Sequence, residues 1–301
     1  MSAARSVLIT GAAGFVAGKV ARALAAEGWR VTGLDRVAPP APAAPGTPFA
    51  EFWQCDLLDE GALAELSTRG EFAAVVHLAG VLPGQTPRRD LFAINVGATS
   101  ALLQHFVAAR SHVVFFSTGL LYGRQPGPFR EDMECMPADP YSQSKLAAEA
   151  LVRSWARAVD AKASVLRPSV IYGAGAPPAM LLVSLFAALR RGEPFAMTGG
   201  EQLRDFLHVD DAARAVIDVL EARAEGTWNL ASGDSHSVRA AAELGAAIAG
   251  RPGLLRIGEL PYRDGEIFDY RLDNRALCSA VRWRPRVPLA TGLQRLWEET
   301  R

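Results

Sequence analysis

Three properties are scarce in this sequence: cysteine, excess charge of either sign, and long apolar runs. The three cysteines among 301 residues have no CxxC spacing, and an odd number fits neither a disulfide framework nor a zinc site. The 32 basic and 32 acidic residues cancel, which argues against an electrostatic grip on nucleic acid or an anionic membrane. We therefore expect a reducing compartment, no bound metal, no nucleic-acid partner and a small-molecule ligand.

The sequence also has little that resembles a membrane span or an export signal. The apolar run at 180–189 is too short to span a bilayer, and no charged leader with an apolar stretch and cleavage site opens the chain. These observations predict a cytoplasmic protein with no membrane partner. The length allows one large domain or two closely joined ones with a sizeable core.

Apolar runs typical of strands alternate with alanine-rich runs typical of helices through the first half of the chain. The predicted strands are 6–10, 30–35, 49–54, 73–79, 112–117 and 163–166. The predicted helices are 15–27, 89–110 and one that begins near Tyr141. Strands that are apolar throughout are covered on both faces, so the pattern predicts an α/β fold with a doubly wound parallel (Rossmann) sheet.

The pattern loosens after residue 168. It predicts helices at 180–191, 210–223 and 238–249, and strands at 205–209 and 227–231. We expect residues 1–168 to form a Rossmann domain to which 205–232 return. Residues 169–204 and 233–301 would then form a smaller α/β substrate-binding cap over the strand ends. The segment 37–48 contains five prolines and predicts a mobile surface loop.

A glycine-rich segment lies between the first predicted strand and the first predicted helix. Its expected pyrophosphate contacts are Gly11, Gly14, Phe15 and Val16. Glycines allow close approach of the backbone, and the helix N-terminus offers N–H donors, although an ordinary tight turn is the alternative. Asp35 ends the second strand, where it can accept both ribose hydroxyls and repel the phosphate of NADP. This favours NAD, while Arg36 leaves NADP open because its guanidinium could bind that phosphate.

Tyr141 and Lys145 are four residues apart on a predicted helix and therefore share one face. A phenol titrates near pH 10 in water, and a nearby ammonium favours its phenolate, so the pair predicts a tuned acid/base. Taken alone, the spacing is more often found in two solvated side chains on a helix surface. The other motifs of the chain must decide between these two interpretations.

Further motifs follow one another in order along nearly the whole chain. They are HLAG at 77–80, STGLLYG at 117–123, RPSVIYG at 167–173, RDFLHVDD at 204–211 and RDGE at 263–266. With the glycine loop and the Tyr–Lys pair, they resemble the extended short-chain dehydrogenase/reductase family in its nucleotide-sugar epimerase and dehydratase branch. The resemblance implies an NAD cofactor, a nucleotide-sugar substrate, and a homodimer paired through helices 89–110 and 141–159.

The resemblance also implies residue roles. Tyr141 would exchange a proton with a sugar hydroxyl or ketone, Lys145 would bind the nicotinamide ribose and lower the Tyr141 pKa, and Thr118 would orient the same oxygen. Arg204 and Arg263 would bind the substrate diphosphate, unless they are simply solvated. The other implied cofactor residues are Asp56, Leu57, Leu78, Ala79, Gly80, Asn95 and Pro168.

One aspartate and two histidines in these motifs also have simpler, structural interpretations. Asp56 could cap the helix that follows it, which is a common position for Asp. His77 and His208 are expected to be packed at strand ends without a catalytic role, because no partner spacing supports a histidine-based site.

Several positions depart from the family pattern and narrow the reaction. Ala17 replaces the third loop glycine, a tolerable change because that position serves helix packing. Gly119 and Leu120 occupy the positions of the dehydratases' acidic pair, and Val170 replaces an asparagine common in epimerases. Without that acidic pair, loss of water is disfavoured, and the reaction that is left is removal and return of a hydride. This predicts an NAD-dependent 4-epimerase that works through a 4-keto sugar. The alternatives are an NAD(P)-dependent reductase or dehydrogenase of a ketosugar, sterol or other secondary alcohol, and a non-catalytic dinucleotide sensor.

Overall fold

The structure is a computed structural model that describes residues 5–38, 47–82, 86–87 and 90–299. Most of the predicted proline-rich loop at 37–48 therefore lies outside the described residues. The strands are β1 (Ser6–Thr10), β2 (Arg30–Asp35), β3 (Glu51–Gln54), β4 (Ala74–His77), β5 (His112–Phe116), β6 (Lys162–Pro168), β7 (Val170–Tyr172), β8 (Phe195–Met197), β9 (Leu203–His208), β10 (Gly226–Leu230), β11 (Ser235–Ser237), β12 (Leu255–Ile257) and β13 (Asp269–Tyr270).

The α-helices include the long helices predicted from sequence, and the bounds lie within two residues of the prediction except in the helix predicted at 89–110. They are α1 (Phe15–Ala26), α2 (Glu60–Ser67), α3 (Ala98–Phe106), α4 (Pro140–Ala158), α5 (Leu181–Arg191), α6 (Val209–Glu221), α7 (Val238–Ile248), α8 (Arg275–Ala280) and α9 (Leu289–Glu299). The helix predicted at 89–110 ends at Phe106, because Val107 adopts an extended conformation, and a π-helical turn (Ala93–Gly97) precedes α3. No helix in the described part of the chain is long and apolar enough to cross a membrane.

A seven-stranded sheet forms the centre of the molecule, in the order β10-β6-β5-β4-β1-β2-β3. Every neighbouring pair in it is parallel. Apolar side chains of α1 and α6 cover one face, and those of α2, α3 and α4 cover the other. The predicted doubly wound α/β fold is thereby confirmed, and burial on both faces explains why the strands are apolar throughout.

A smaller sheet contains the strand predicted at 205–209. This strand, β9, pairs with β7, β11 and β13, whereas α6 and β10 after it pack on the central sheet. Within the predicted returning segment 205–232, α6 and β10 therefore lie on the central sheet, whereas β9 lies in the smaller sheet. Alternation of apolar residues identifies a strand but not its partners, since pairing depends on distant parts of the chain. The division into two domains stays a prediction.

The carboxyl ends of β1, β4, β5 and β6 lie at one edge of the central sheet, as parallel pairing requires. Helix α4 begins beside this edge with a capping box, in which the Asp139 carboxylate accepts a hydrogen bond from the Ser142 N–H at 3.0 Å. Pro140 occupies the first turn, where its missing N–H costs nothing. The cap fixes the start of α4 and so places Tyr141 at this edge.

Candidate active site

Two adjoining cavities open at the carboxyl ends of the central strands, with volumes of about 860 Å³ and about 670 Å³. Both are lined by the residues Gly11, Gly14, Leu78 and Gly80. The larger cavity is also lined by Phe15, Val16, Thr118, Tyr141, Lys145, Pro168, Arg204 and Arg263. The smaller cavity is lined by Asp35, Arg36, Asp56, Leu57 and Ala79. One continuous cleft thus brings together nearly all the residues predicted as site residues.

The glycine loop can accept only glycine where the backbone turns. Gly11 has φ +67°, and a Cβ there would lie 2.7 Å from the backbone nitrogen of Ala79. Gly14 is the N-cap of α1 and has no side-chain cap, and the first residues of that helix, Phe15 and Val16, line the cleft. This arrangement suits an anionic pyrophosphate, which is attracted by the N–H groups and the positive end of the helix dipole.

Asp35 and Asp56 line the smaller of the two cavities. The Asp35 carboxylate accepts hydrogen bonds from the N–H groups of Ala13 and Val37, both at 3.0 Å. Asp56 accepts one from the Leu58 N–H at 2.9 Å, whereas the N-cap of α2 is Asp59. The simpler interpretation of Asp56 as a helix cap is therefore wrong. Asp56 lines the cavity instead.

Asn95 differs from the other predicted cofactor residues because it lies behind the cleft. It is buried in the π-helical turn, and its carboxamide accepts from the Val81 N–H at 2.8 Å and donates to the Ser144 hydroxyl at 3.0 Å. These bonds tie the loop after β4 to α4. Asn95 thus supports the loop that lines both cavities.

Thr118, Tyr141 and Lys145 are all buried, with exposed fractions of 6, 8 and 6%. Burial raises the pKa of Tyr141 to about 12, with a further increase from Asp139, and the Thr118 hydroxyl lowers it by hydrogen bonding. Burial also lowers the pKa of Lys145 to about 7, against the charge of Glu149, which raises it. The expected lowering of the Tyr141 pKa by Lys145 is not found here, because desolvation favours the neutral form of both groups.

The two arginines predicted to bind substrate both face the larger cavity but differ in their surroundings. Arg204 Nη2 lies 2.6 Å from Glu266 Oε1, and both side chains are largely buried. Burial lowers the Arg204 pKa, while Glu266 raises it. Arg263 is exposed and stands on the loop that precedes β13. Glu266 thus offsets part of the positive charge at this end of the cleft.

The two histidines at strand ends are packed, as expected. His77 is buried between the hydroxyls of Thr10 at 2.6 Å and Thr99 at 2.9 Å, and burial lowers its pKa to about 3. His208 is buried as the N-cap of α6.

Tyr270 lines the larger cavity, and the sequence analysis did not predict it as a site residue. Its hydroxyl donates to the Pro168 carbonyl at 3.1 Å, forms a hydrogen bond with Thr118, and would lie 2.7 Å from a Cβ at Gly119. The contact joins β13 to the loop after β5, far apart in the chain, so no local spacing could have shown it. Glu149, by contrast, lies four residues after Lys145 and could have been found from helix periodicity.

In this protein a dinucleotide-type glycine loop follows β1, and a buried tyrosine and lysine lie on a later helix. This is the arrangement of extended short-chain dehydrogenases/reductases. The model of the NAD dependent epimerase/dehydratase family matches residues 7–231, so the chain belongs to that family and NAD is its cofactor. The resemblance noted in the sequence is thereby confirmed.

Relatives match the chain over nearly its full length. A UDP-glucose 4-epimerase of Mycolicibacterium smegmatis is 31% identical, with 97% of each chain covered. A dTDP-L-rhamnose 4-epimerase of Burkholderia thailandensis is 26% identical, with 97% of this chain and 94% of the relative covered. The solved structure of MoeE5 in complex with UDP-glucose and NAD has a TM-score of 0.86 and 32% identity over 98% of each chain.

Proposed function

We propose that this protein is an NAD-dependent nucleotide-sugar 4-epimerase that works through a transient 4-keto sugar, with Tyr141 as acid and base. One observation carries the proposal: Tyr141, Thr118 and Lys145 are buried together in the cavity that the glycine loop also lines. Two relatives that match nearly the whole chain are 4-epimerases, which supports the proposed reaction class. NAD, when bound, would supply the hydride acceptor and donor for carbon 4 and the positive charge of its oxidised ring.

The roles of the protein side chains follow from their protonation. The pKa of Tyr141 is raised to about 12, so the phenol is protonated at neutral pH and needs a neighbouring positive charge to become a base. Tyr141 then takes the hydroxyl proton and later returns it to the keto oxygen, while Thr118 holds that oxygen by a hydrogen bond. Lys145 binds the nicotinamide ribose.

The binding residues are proposed from their positions in the cleft. For NAD they are Gly11, Gly14, Phe15, Val16, Asp35, Arg36, Asp56, Leu57, Leu78, Ala79, Gly80, Lys145 and Pro168, with Asn95 supporting the loop after β4. For the substrate diphosphate they are Arg204 and Arg263.

The test compares wild-type protein with Tyr141→Phe on a panel of UDP- and dTDP-sugars. We expect wild-type protein to interconvert one pair of 4-epimers, and Tyr141→Phe to lose about 100- to 10,000-fold in kcat while retaining bound NAD. Tyr172→Phe is the matched control, since Tyr172 is buried in a hydrophobic cluster with residues of α5, α7 and α9. An NAD-loaded wild-type enzyme that leaves every sugar unchanged would contradict the proposal. A net, stoichiometric change in reduced nicotinamide would instead identify a reductase or dehydrogenase.

We also propose a homodimer paired through α4 and the helical segment that ends at Phe106. Both elements lie on the same face of the central sheet and contact each other. Light scattering of the purified protein should give twice the mass of the chain, and a monomer mass would contradict the pairing. The cytoplasmic location stays a prediction.

A further inference from the structure

Glu149 lies one helix turn after Lys145 on α4, where residues four apart share one face, and both side chains are buried. Its carboxylate accepts hydrogen bonds from Arg167 Nε at 3.0 Å, from Arg167 Nη2 at 2.8 Å and from Arg153 Nη1 at 2.9 Å. Burial raises the pKa of Glu149, but these bonds and the charge of Arg167 outweigh burial and hold the pKa below its usual value. Glu149 is therefore a buried negative charge at neutral pH.

Lys145 is buried without a carboxylate at ion-pair distance in the described part of the chain. Its Nζ lies 4.2 Å from the centroid of the Phe115 ring on β5, and its side chain lines the larger cavity. Burial lowers the pKa of Lys145 to about 7, and the charge of Glu149 raises it. Glu149 thus acts on Lys145 through its charge, and not through an ion pair or a hydrogen bond.

The other titratable groups around Lys145 are neutral or positive at neutral pH. Burial raises the pKa of Tyr141, one turn earlier on α4, to about 12. His77 lies at the end of β4, and burial together with the charge of Lys145 lowers its pKa to about 3. The two arginines bonded to Glu149 are cations, which oppose a further positive charge. Among the described titratable groups, Glu149 is therefore the one that favours the ammonium form of Lys145.

The charge of Lys145 matters for the chemistry of Tyr141. Tyr141 needs a neighbouring positive charge to act as a base, so a neutral Lys145 would leave the phenol protonated. The Lys145 pKa lies close to neutral pH, where a single nearby charge decides which form predominates. We propose that Glu149 is a positioning residue of this active site, whose carboxylate keeps Lys145 in the ammonium form that Tyr141 requires. The use of this charge by Tyr141 rests on the proposed function, whereas the coupling of Glu149 to Lys145 is a property of the protein alone.

Nuclear magnetic resonance can measure the charge of Lys145 directly, because the chain has three lysines, Lys19, Lys145 and Lys162. Lysine labelled with ¹³C at carbon ε gives three signals, and Lys145→Arg identifies the signal of Lys145 by its loss. In NAD-loaded full-length protein, the midpoint of this signal should be lower in Glu149→Gln than in wild type by about 1–3 pH units, the effect of one nearby opposite charge. Lys19 and Lys162 lie in partly exposed ion pairs elsewhere, so their signals should titrate alike in both proteins.

Two further variants separate the charge of Glu149 from its contribution to stability. Glu149→Asp keeps the carboxylate but shortens the side chain, so it should lose stability while Lys145 titrates close to its wild-type midpoint. The double variant Glu149→Leu with Arg167→Met removes the buried pair at little cost in stability, and it serves if Glu149→Gln does not fold. Lys145 should titrate below its wild-type midpoint in the double variant as well, since its pKa depends on the charge of Glu149.

The pH profile of kcat gives a second readout, which a purely structural role would not move. Activity should fall on the alkaline side as Lys145 loses its proton. In Glu149→Gln this fall should move to lower pH by the same amount as the Lys145 midpoint. A kcat that is reduced at every pH with an unchanged profile would overturn the proposal, because it would show damage to the fold alone.

The possible outcomes separate the inference from the function on which it rests. An unchanged Lys145 midpoint in the variants that lack the carboxylate would overturn the role of Glu149 and leave the epimerase intact. A lowered midpoint in Glu149→Gln, with no turnover of any sugar by NAD-loaded wild-type protein, would overturn the epimerase and still support the coupling of Glu149 to Lys145. A lowered midpoint and a matching shift of the kcat profile in Glu149→Gln, with neither change in Glu149→Asp, would support the whole inference.

Discussion

Replacing Glu149 with glutamine should destabilise the protein, because it leaves the buried Arg167 guanidinium without its counter-charge. Arg167 Nε and Nη2 donate to the two Glu149 carboxylate oxygens at 3.0 and 2.8 Å. The exposed fractions are 0% for Glu149 and 5% for Arg167. Arg167 Nη1 also donates to the Tyr122 hydroxyl at 3.0 Å. The pair joins α4, which carries Tyr141, to β6.

The expected loss is large because the remaining charge cannot reach water. Removing one partner of a buried pair costs about 3–5 kcal/mol. For a chain of this size each kcal/mol corresponds to about 2 °C, so Glu149→Gln should lower the melting temperature by about 6–10 °C. Glu243→Gln is the matched control, since its partner Arg239 is exposed and such a surface pair contributes about 0.2–1 kcal/mol.

The effect should also depend on pH. Burial raises the pKa of Glu149, but hydrogen bonding and charge from Arg167 outweigh burial and hold the pKa below its usual value. A lowered carboxyl pKa contributes stability that is fully present above the unfolded-state pKa and is lost as pH falls through the folded-state pKa. The difference in stability between wild type and Glu149→Gln should therefore be full at neutral pH and shrink in acid.

Thermal melts followed by circular dichroism, at neutral pH and at several acidic values, measure both expectations. The double variant Glu149→Leu with Arg167→Met should recover much of the loss, since apolar residues can replace a buried pair at little cost. A Glu149→Gln protein that melts within about 2 °C of wild type at neutral pH, as the Glu243→Gln control should, would refute the reasoning.

Two further predictions concern the cleft. Gly119→Ala places a Cβ 2.7 Å from the Tyr270 hydroxyl, and overpacking of this kind should cost about 1–3 kcal/mol in chemical denaturation. Tyr270→Phe, combined with it, should recover part of that loss, and strictly additive effects would contradict the contact. Asp35→Asn keeps the size but removes the charge, so it should shift the ratio of Kd values for NAD and NADP towards NADP by about tenfold in calorimetry. An unchanged ratio would show that Asp35 does not exclude the phosphate.

Much of the cofactor-binding part of the cleft could be predicted, because the motifs that form it are local in the chain. Gly11 and Gly14 lie between a strand and a helix, and Asp35 ends the next strand, so their arrangement follows from one βαβ unit. Tyr141 and Lys145 share one helix face through the helix repeat alone. The parallel sheet follows from strands that are apolar throughout, since such strands require cover on both faces.

The part of the cleft proposed to bind substrate depends on contacts between distant parts of the chain. The sequence alone determined the βα alternation, the glycine loop and the spacing of Tyr141 and Lys145, because each depends on residues within a few turns of one another. Only the tertiary structure decided that β9 belongs to the smaller sheet and that Tyr270 lies against Gly119 and Thr118. It also decided that Tyr141 has a raised pKa, because desolvation depends on everything packed around a side chain.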